Sequence, residues 1–225
     1  MKKFMCLLFG LGTMAVVAQS LQNEVKHPDI ATKLFKNPKF VKDKSQGSPY
    51  VHAMFGQASV AKLNIKAFMR YNAYKDEFEF ITPKNDTLIL DKIEDFDQIV
   101  FTGFNKQYDL LAYTEDKKLV YGYLVRVQET NGLVLYKKER ITFIEAKPAK
   151  TSLEVNMPAK YTRRGDSFFV RTKDGMTTEF PDSKKALVKV YPAHKDKIEA
   201  FLKNAKIDFD LESDVLRVFN LVAAP

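Results

Sequence analysis

Thiol chemistry is almost absent from this chain. Its single cysteine, Cys6, stands in an apolar stretch close to the N-terminus. If that stretch is removed, disulfides, cysteine nucleophiles and cysteine-ligated zinc are excluded together. Histidine is nearly as scarce: His27, His52 and His194 are the only three, none four residues from another and none beside an acid at metal-ligand spacing. Hydrolytic zinc chemistry therefore has little to stand on. Gly-x-Ser-x-Gly is missing, as is any glycine-rich phosphate loop. No cofactor or metal is expected.

The N-terminus carries the clearest positive signal. In MKKFMCLLFGLGTMAVVAQS, Lys2 and Lys3 precede an apolar run from Phe4 to Val17, and Val16-x-Ala18 closes it with a cleavage-like pattern. These are the parts of a secretory signal peptide over residues 1–18, cut between Ala18 and Gln19. The run is too short to cross a hydrocarbon core of ~30 Å, so no transmembrane segment is expected. Cys6 lies at the start of the run, whereas a lipid anchor needs it at the end. A periplasmic or secreted protein without a lipid anchor follows, 207 residues long once 18 of 225 are removed.

Loss of Lys2 and Lys3 takes the formal charge from +8 to +6. The remaining basic pairs, Lys117-Lys118, Lys137-Lys138, Arg163-Arg164 and Lys184-Lys185, are interspersed with acids and read as solvated surface, with weak adhesion to anionic lipid or glycan surfaces as the functional alternative. No concentrated patch points to nucleic acid. Partners remain open between an envelope component and an apolar ligand.

Hydrophobic residues make up 45% of the chain, with 18 Phe and 10 Tyr, enough for a sizeable core. Residues 19–49, punctuated by Pro28, Pro38, Gly47 and Pro49, read as an extended arm, with Asp29 as a possible cap for a short helix through Phe35. Residues 50–225 read as a single β-rich domain, helical from about 182. Leu119, Tyr121, Tyr123, Val125 and Val127 form a period-2 stripe, with Gly122, Arg126 and Gln128 opposite, and predict a long half-buried strand. Further strands are expected at 67–74, 87–90, 97–102, 107–114, 133–137, 140–145, 167–172 and 176–180. Hairpins are expected at Thr130-Asn131-Gly132 and Lys173-Asp174-Gly175, and another turn at Lys84-Asn85-Asp86. Beyond Pro181 the period becomes helical. Asp182 or Ser183 caps a helix carrying Leu187, Val190 and Tyr191. Pro192 opens a second with Ile198, Phe201, Leu202 and Ala205, and Asp210 caps a third with Val215, Val218, Phe219 and Val222. The fold class is α+β: an antiparallel sheet, sandwich-like or half-barrel, with a C-terminal helical segment.

Gly47-Ser48-Pro49-Tyr50 and Arg70-Tyr71-Asn72-Ala73-Tyr74-Lys75-Asp76-Glu77 resemble blocks in secreted proteins of unknown function from Bacteroidota. The resemblance continues through Ile198-Glu199-Ala200-Phe201-Leu202-Lys203 and from Asp210 to Asn220. It implies an envelope or secreted location in a Gram-negative bacterium, and no activity or site residue.

Other short motifs have ordinary explanations. Arg164-Gly165-Asp166 spells an adhesion tripeptide, but Gly-Asp between strands is turn chemistry. Gly165-Asp166-Ser167 resembles the nucleophile block of a lipase and esterase family; Tyr191 stands where the acid preceding His194 belongs, so the base lacks its orienting group. Asp208-x-Asp210-x-Glu212 opens like a calcium loop, yet Ser213 and Phe219 occupy the positions of its glycine and bidentate glutamate. Asp91, Glu94, Asp95 and Asp97 read as a solvated loop. Asn85-Asp86-Thr87 is a glycosylation sequon, expected to be silent in a bacterial protein. Glu77 and Glu79 share a strand face opposite Phe78 and Phe80, a spacing open to paired-carboxylate chemistry but typical of surface glutamates. Tyr71, Tyr74, Tyr108, Tyr113, Tyr121, Tyr123 and Tyr136 suit core and rim packing, with sugar or lipid stacking as the alternative.

The leading reading is a non-catalytic binding or scaffold protein of the cell envelope. The alternatives are a carrier holding an apolar ligand in a curved sheet and a hydrolase with a hidden carboxylate site. An apolar cavity would favour the carrier, and facing acids in a polar cleft would favour the enzyme.

Overall fold

A computed structural model describes residues 35–36, 45–151 and 153–224. The expected signal peptide, the Ala18–Gln19 cleavage site, His27, the Asp29 cap and most of the 19–49 arm lie outside the described residues.

The strands are β1 (Phe35–Lys36), β2 (Gly56–Val60), β3 (Ile65–Asn72), β4 (Glu77–Ile81), β5 (Thr87–Leu90), β6 (Gln98–Phe101) and β7 (Lys106–Glu115). They continue as β8 (Lys118–Thr130), β9 (Leu133–Lys138), β10 (Ile141–Ile144), β11 (Lys160–Arg163), β12 (Ser167–Arg171) and β13 (Thr177–Glu179). Helices α1 (Lys184–Val190), α2 (Lys195–Asn204) and α3 (Glu212–Ala223) follow. The protein is α+β, as its sequence pattern predicts. Among the described residues, no helix is long and apolar enough to cross a membrane.

Short turns set the strand order. Asn131 and Gly132 both take positive φ, at 51° and 79°, giving the β8–β9 hairpin the mirror-image turn that suits strand twist. Asp116 and Lys117 do the same between β7 and β8 without a glycine, at 49° and 62°. That hairpin has no Asn-Gly signature, and sequence reasoning ran past it. The β12–β13 hairpin at Lys173-Asp174-Gly175 forms where expected.

Eleven strands form one sheet, in the order β1-β5-β4-β3-β2-β6-β7-β13-β12-β9-β8, and β8 returns to pair with β7. Strands β7, β8, β9, β12 and β13 thus close a five-stranded barrel. Strand pairing is antiparallel except where β13 meets β7 in parallel at Thr178 and Thr114. An odd number of strands closed by hairpins requires one such parallel contact. Tyr113, Leu124, Val134, Tyr136 and Phe169 are all buried inside, with Leu111 and Val120 packed against them. The barrel is filled by its own side chains, as expected of a small closed sheet.

The other faces of β7 and β8 serve a second core. Tyr108, Leu110, Tyr123 and Val125 pack with Val60, Met69, Phe78, Phe80, Ile99 and Phe101 from the β2–β6 part of the sheet. This corrects the reading of β8 as half-buried. Tyr123, Leu124 and Val125 are consecutive and all buried, because cores lie on both sides. A register shift between Arg126 and Gln128 then turns Val127 toward a third cluster, while Leu119 at 79% and Tyr121 at 49% exposure stand in solvent.

The helices cover the outer face of β9 and β12. Leu135, Phe168 and Val170 meet Phe180, Leu187, Ile198, Val215, Val218, Phe219 and Val222 there. Each fully buried Leu, Phe or Val contributes ~1.5–3 kcal/mol. Ser183 caps α1 by accepting from the Ala186 amide. Asp210 does not cap α3: Leu211 holds the cap position, and the Asp210 amide donates to Asp208 Oδ1 at 2.9 Å. Strands β10 and β11 form a separate two-stranded ribbon, flanked by a parallel bridge from Gln46 to Lys160.

Candidate functional site

The 47–50 and 70–77 segments meet in space. Tyr50 forms an antiparallel bridge with Asn72, and the Tyr74 amide donates to the Pro49 carbonyl at 3.3 Å. Arg70 lies between the rings of Tyr50 and Phe55, at 3.9 and 4.3 Å from their centroids. Its Nε and Nη2 donate to Glu79 Oε2 at 2.8 and 2.6 Å, and the Tyr50 hydroxyl donates to Glu79 Oε1 at 2.8 Å. Glu79 is 4% exposed. The strand alternation that placed it on a solvated face is overruled, because the 47–55 segment folds over that face. Glu79 and Glu77 stand opposite Arg70 and Asn72 across the β3–β4 pair. Glu79 is held by Arg70 and Tyr50, so the two acids do not stand side by side as free surface carboxylates.

Asp76, in the turn between β3 and β4 at the left-handed φ of 57°, turns its carboxylate toward Tyr71 and the backbone of β8. The Tyr71 hydroxyl donates to Oδ1 at 2.7 Å, the Tyr123 amide donates to the same atom at 3.1 Å, and Lys92 pairs with Oδ2. Gly122 leaves the room this approach needs: a Cβ there would collide with Asp76 Oδ2.

Tyr71 packs on Tyr108 with ring centroids 4.8 Å apart. Tyr108 donates its hydroxyl hydrogen to Glu139 Oε2 at 2.6 Å, and Lys106 donates to Oε1 at 2.6 Å. Lys106 also lies 3.3 Å from His52 Nε2, and the His52 ring stacks on Phe104 at 4.4 Å. Burial tends to raise the Glu139 pKa, but the hydrogen bonds and charges of Lys106 and Tyr108 outweigh it and hold the carboxyl below its usual range. Burial, with Lys106 close by, pushes His52 down, so its ring is neutral at pH 7 and accepts from Lys106. Burial and the adjacent carboxylate push the Tyr108 phenol far up.

A polar cleft of about 430 Å³ opens at the barrel end beneath the helices, lined in part by Glu115, Arg140, Asp166, Glu179 and Asp210. Burial raises the Asp166 pKa, although Arg163 and Lys137 oppose it. Lys137 reaches Glu212 at 2.5 Å and Asp166 at 3.8 Å, and Lys138 reaches Glu115 at 2.6 Å. The Lys137-Lys138 pair is thus mostly buried and paired, correcting its reading as solvated surface. Glu139 was missed for the same reason: within Lys-Lys-Glu-Arg it looks like one more surface charge, and only the topology buries it.

The other candidates disperse. Asp166 of Arg164-Gly165-Asp166 is held by Arg163, and Arg164, exposed like Gly165, donates to Thr142 Oγ1 at 3.1 Å. Ser167 Oγ accepts from Arg140 at 2.9 Å, whereas His194 Nε2 contacts the Ala224 carbonyl at 3.2 Å. Asp208 donates its amide to Asp214 Oδ2 at 3.0 Å, and Glu212 turns to Lys137. Glu94 pairs with Lys62 at 2.9 Å; Glu94 and Asp95 are exposed, as expected of a solvated loop, while Phe96 between them and Asp97 is buried and anchors the turn. Among the described residues, no three His, Cys, Asp or Glu side chains are grouped to hold a metal ion. Of the seven singled-out tyrosines, five are buried, while Tyr74 and Tyr121 are exposed.

Between β10 and β11 the chain leaves the body. Lys147 and Met157 bridge with reciprocal amide–carbonyl bonds at 2.9 Å, and beyond them Leu153 is 95% and Val155 83% exposed. Sequence periodicity gave no signal for this projection. No family model matches the chain, and no curated protein or solved structure matches it.

Proposed function

We propose that this protein works outside the cytoplasm, periplasmic or secreted, as a non-catalytic binding or scaffold protein of the cell envelope. The observation that carries this reading is the state of the interior. The barrel is packed with Tyr113, Leu124, Val134, Tyr136 and Phe169, and the buried carboxylates Glu79 and Glu139 are each tied to a cation and a tyrosine. A carrier needs a lumen, and a hydrolase needs an acid or base free to exchange protons with substrate. The acids lining the cleft at the barrel end are also engaged, Glu115 by Lys138, Asp166 by Arg163 and Glu179 by the Asp116 amide. That favours a role for the surface, and the N-terminal segment supports an extracytoplasmic address.

Osmotic-shock fractionation of the native host, followed by amine cross-linking in intact cells, tests this reading. The protein is expected in the periplasmic or released fraction, cross-linked to envelope material. Recovery with the cytoplasm, uncross-linked, would overturn it.

A further inference from the structure

The projection between β10 and β11 is built as a stiff stalk with an apolar end. At its base, Phe143 and Tyr161 pack at 4.9 Å, and Tyr74 meets Tyr161 edge-on at 5.4 Å. The Lys147–Met157 bridge extends the ribbon. Beyond it three bonds hold the turn: the Ala149 amide donates to Asn156 Oδ1 at 2.8 Å, Lys150 to Glu154 Oε2 at 2.7 Å, and Glu154 to the Thr151 carbonyl at 3.2 Å. Leu153, Val155 and Met157 are 95%, 83% and 51% exposed, held in a defined turn with no apolar covering.

Charge selects the occupant. Arg163 is committed to Asp166, which leaves Lys147, Lys150, Lys160 and Arg164 against Glu145 and Glu154 around the stalk. Without Lys2 and Lys3 the chain carries +6, so its long-range field does not oppose an anionic surface. Three apolar side chains on a narrow tip offer far less than the ~800 Å² per partner of a stable protein–protein interface. Insertion at the headgroup–acyl boundary needs only a few apolar side chains with cations behind them. We propose that the 147–157 tip docks this protein on an anionic phospholipid surface, Leu153 and Val155 entering the acyl boundary while the flanking lysines meet the headgroups. This rests on the envelope reading above, because it needs an accessible bilayer.

The test is sedimentation of the processed, secreted protein with vesicles of phosphatidylcholine and phosphatidylglycerol in equal parts, and with pure phosphatidylcholine vesicles. Binding to the anionic vesicles is expected, weakened by added salt, with little binding to the neutral ones. The Leu153→Asp/Val155→Asp double variant should lose about tenfold or more of that binding, with an unchanged urea midpoint because both positions are exposed. Unaltered binding in the double variant, or equal binding to both vesicle types, overturns the proposal. So does a processed, envelope-located protein that binds neither vesicle, an outcome that leaves the envelope reading standing.

Discussion

Tyr108 and Glu139 lie 31 residues apart on β7 and just past β9, and the phenol donates to the carboxylate at 2.6 Å where Glu139 is 3% exposed. Lys106 supplies the compensating charge, so the pair is a buried ion pair completed by a tyrosine. Removing one member leaves the others buried and unmatched. Glu139→Gln should cost ~3–5 kcal/mol, and Tyr108→Phe, which removes one hydrogen bond, ~1–3 kcal/mol. Urea unfolding near pH 7 measures both.

The pH dependence has a definite sign. The Glu139 carboxyl is held below its unfolded value, so its stabilisation is fully present above the ordinary carboxylate range and is lost as pH falls through the folded value. His52, also lowered, adds a loss in the same direction as pH drops through the ordinary histidine range. The stability gap between the parent and Glu139→Gln should therefore narrow on acidification. A gap constant from neutral to strongly acidic pH would show that Glu139 is not paired in the folded state.

Gly47 has φ of 76°, and a Cβ there would sit 2.5 Å from the Tyr161 carbonyl oxygen. Backbone cannot yield as a side-chain end can. Gly47→Ala should cost ~1–3 kcal/mol and loosen the 45–50 segment from β11. Hydrogen exchange at the Gln46 and Tyr161 amides, which bond across this contact at 2.8 Å, should quicken.

The C-terminal helices are packed on the barrel, so their apolar stripes carry stability. Phe219, fully buried, should cost ~3–5 kcal/mol as Ala. Phe201 is only half-buried, under Arg217, and should cost less, while exposed Lys203→Ala should stay within ~0.5 kcal/mol. Equal urea midpoints for Phe219→Ala and the parent would show that α3 does not dock.

What was legible in the sequence was whatever one period or one turn specifies. The helical stripes at Ile198 and at Val215, Phe219 and Val222 fall on buried faces, and the Asn131-Gly132 hairpin is where it was expected. What escaped depends on long-range closure. Strand β8 looked half-buried because alternation describes one packed face, whereas barrel closure adds a second core behind Leu124. Glu79 reads as a surface charge and Glu139 gives no signal at all, because their partners, Tyr50, Arg70, Lys106 and Tyr108, are distant in sequence. The stalk carries no periodicity, since its short bridge and side-chain-capped turn follow neither a strand nor a helix pattern.

The most direct measurement on the central claim, an extracytoplasmic protein with a filled interior, is native mass spectrometry of the protein isolated from its own envelope. The expected mass is that of residues 19–225 alone, beginning at Gln19, unaltered by thiol reagents and without a bound apolar molecule. A mass that retains residues 1–18, carries lipid on Cys6, or holds a co-purifying apolar ligand would contradict the account.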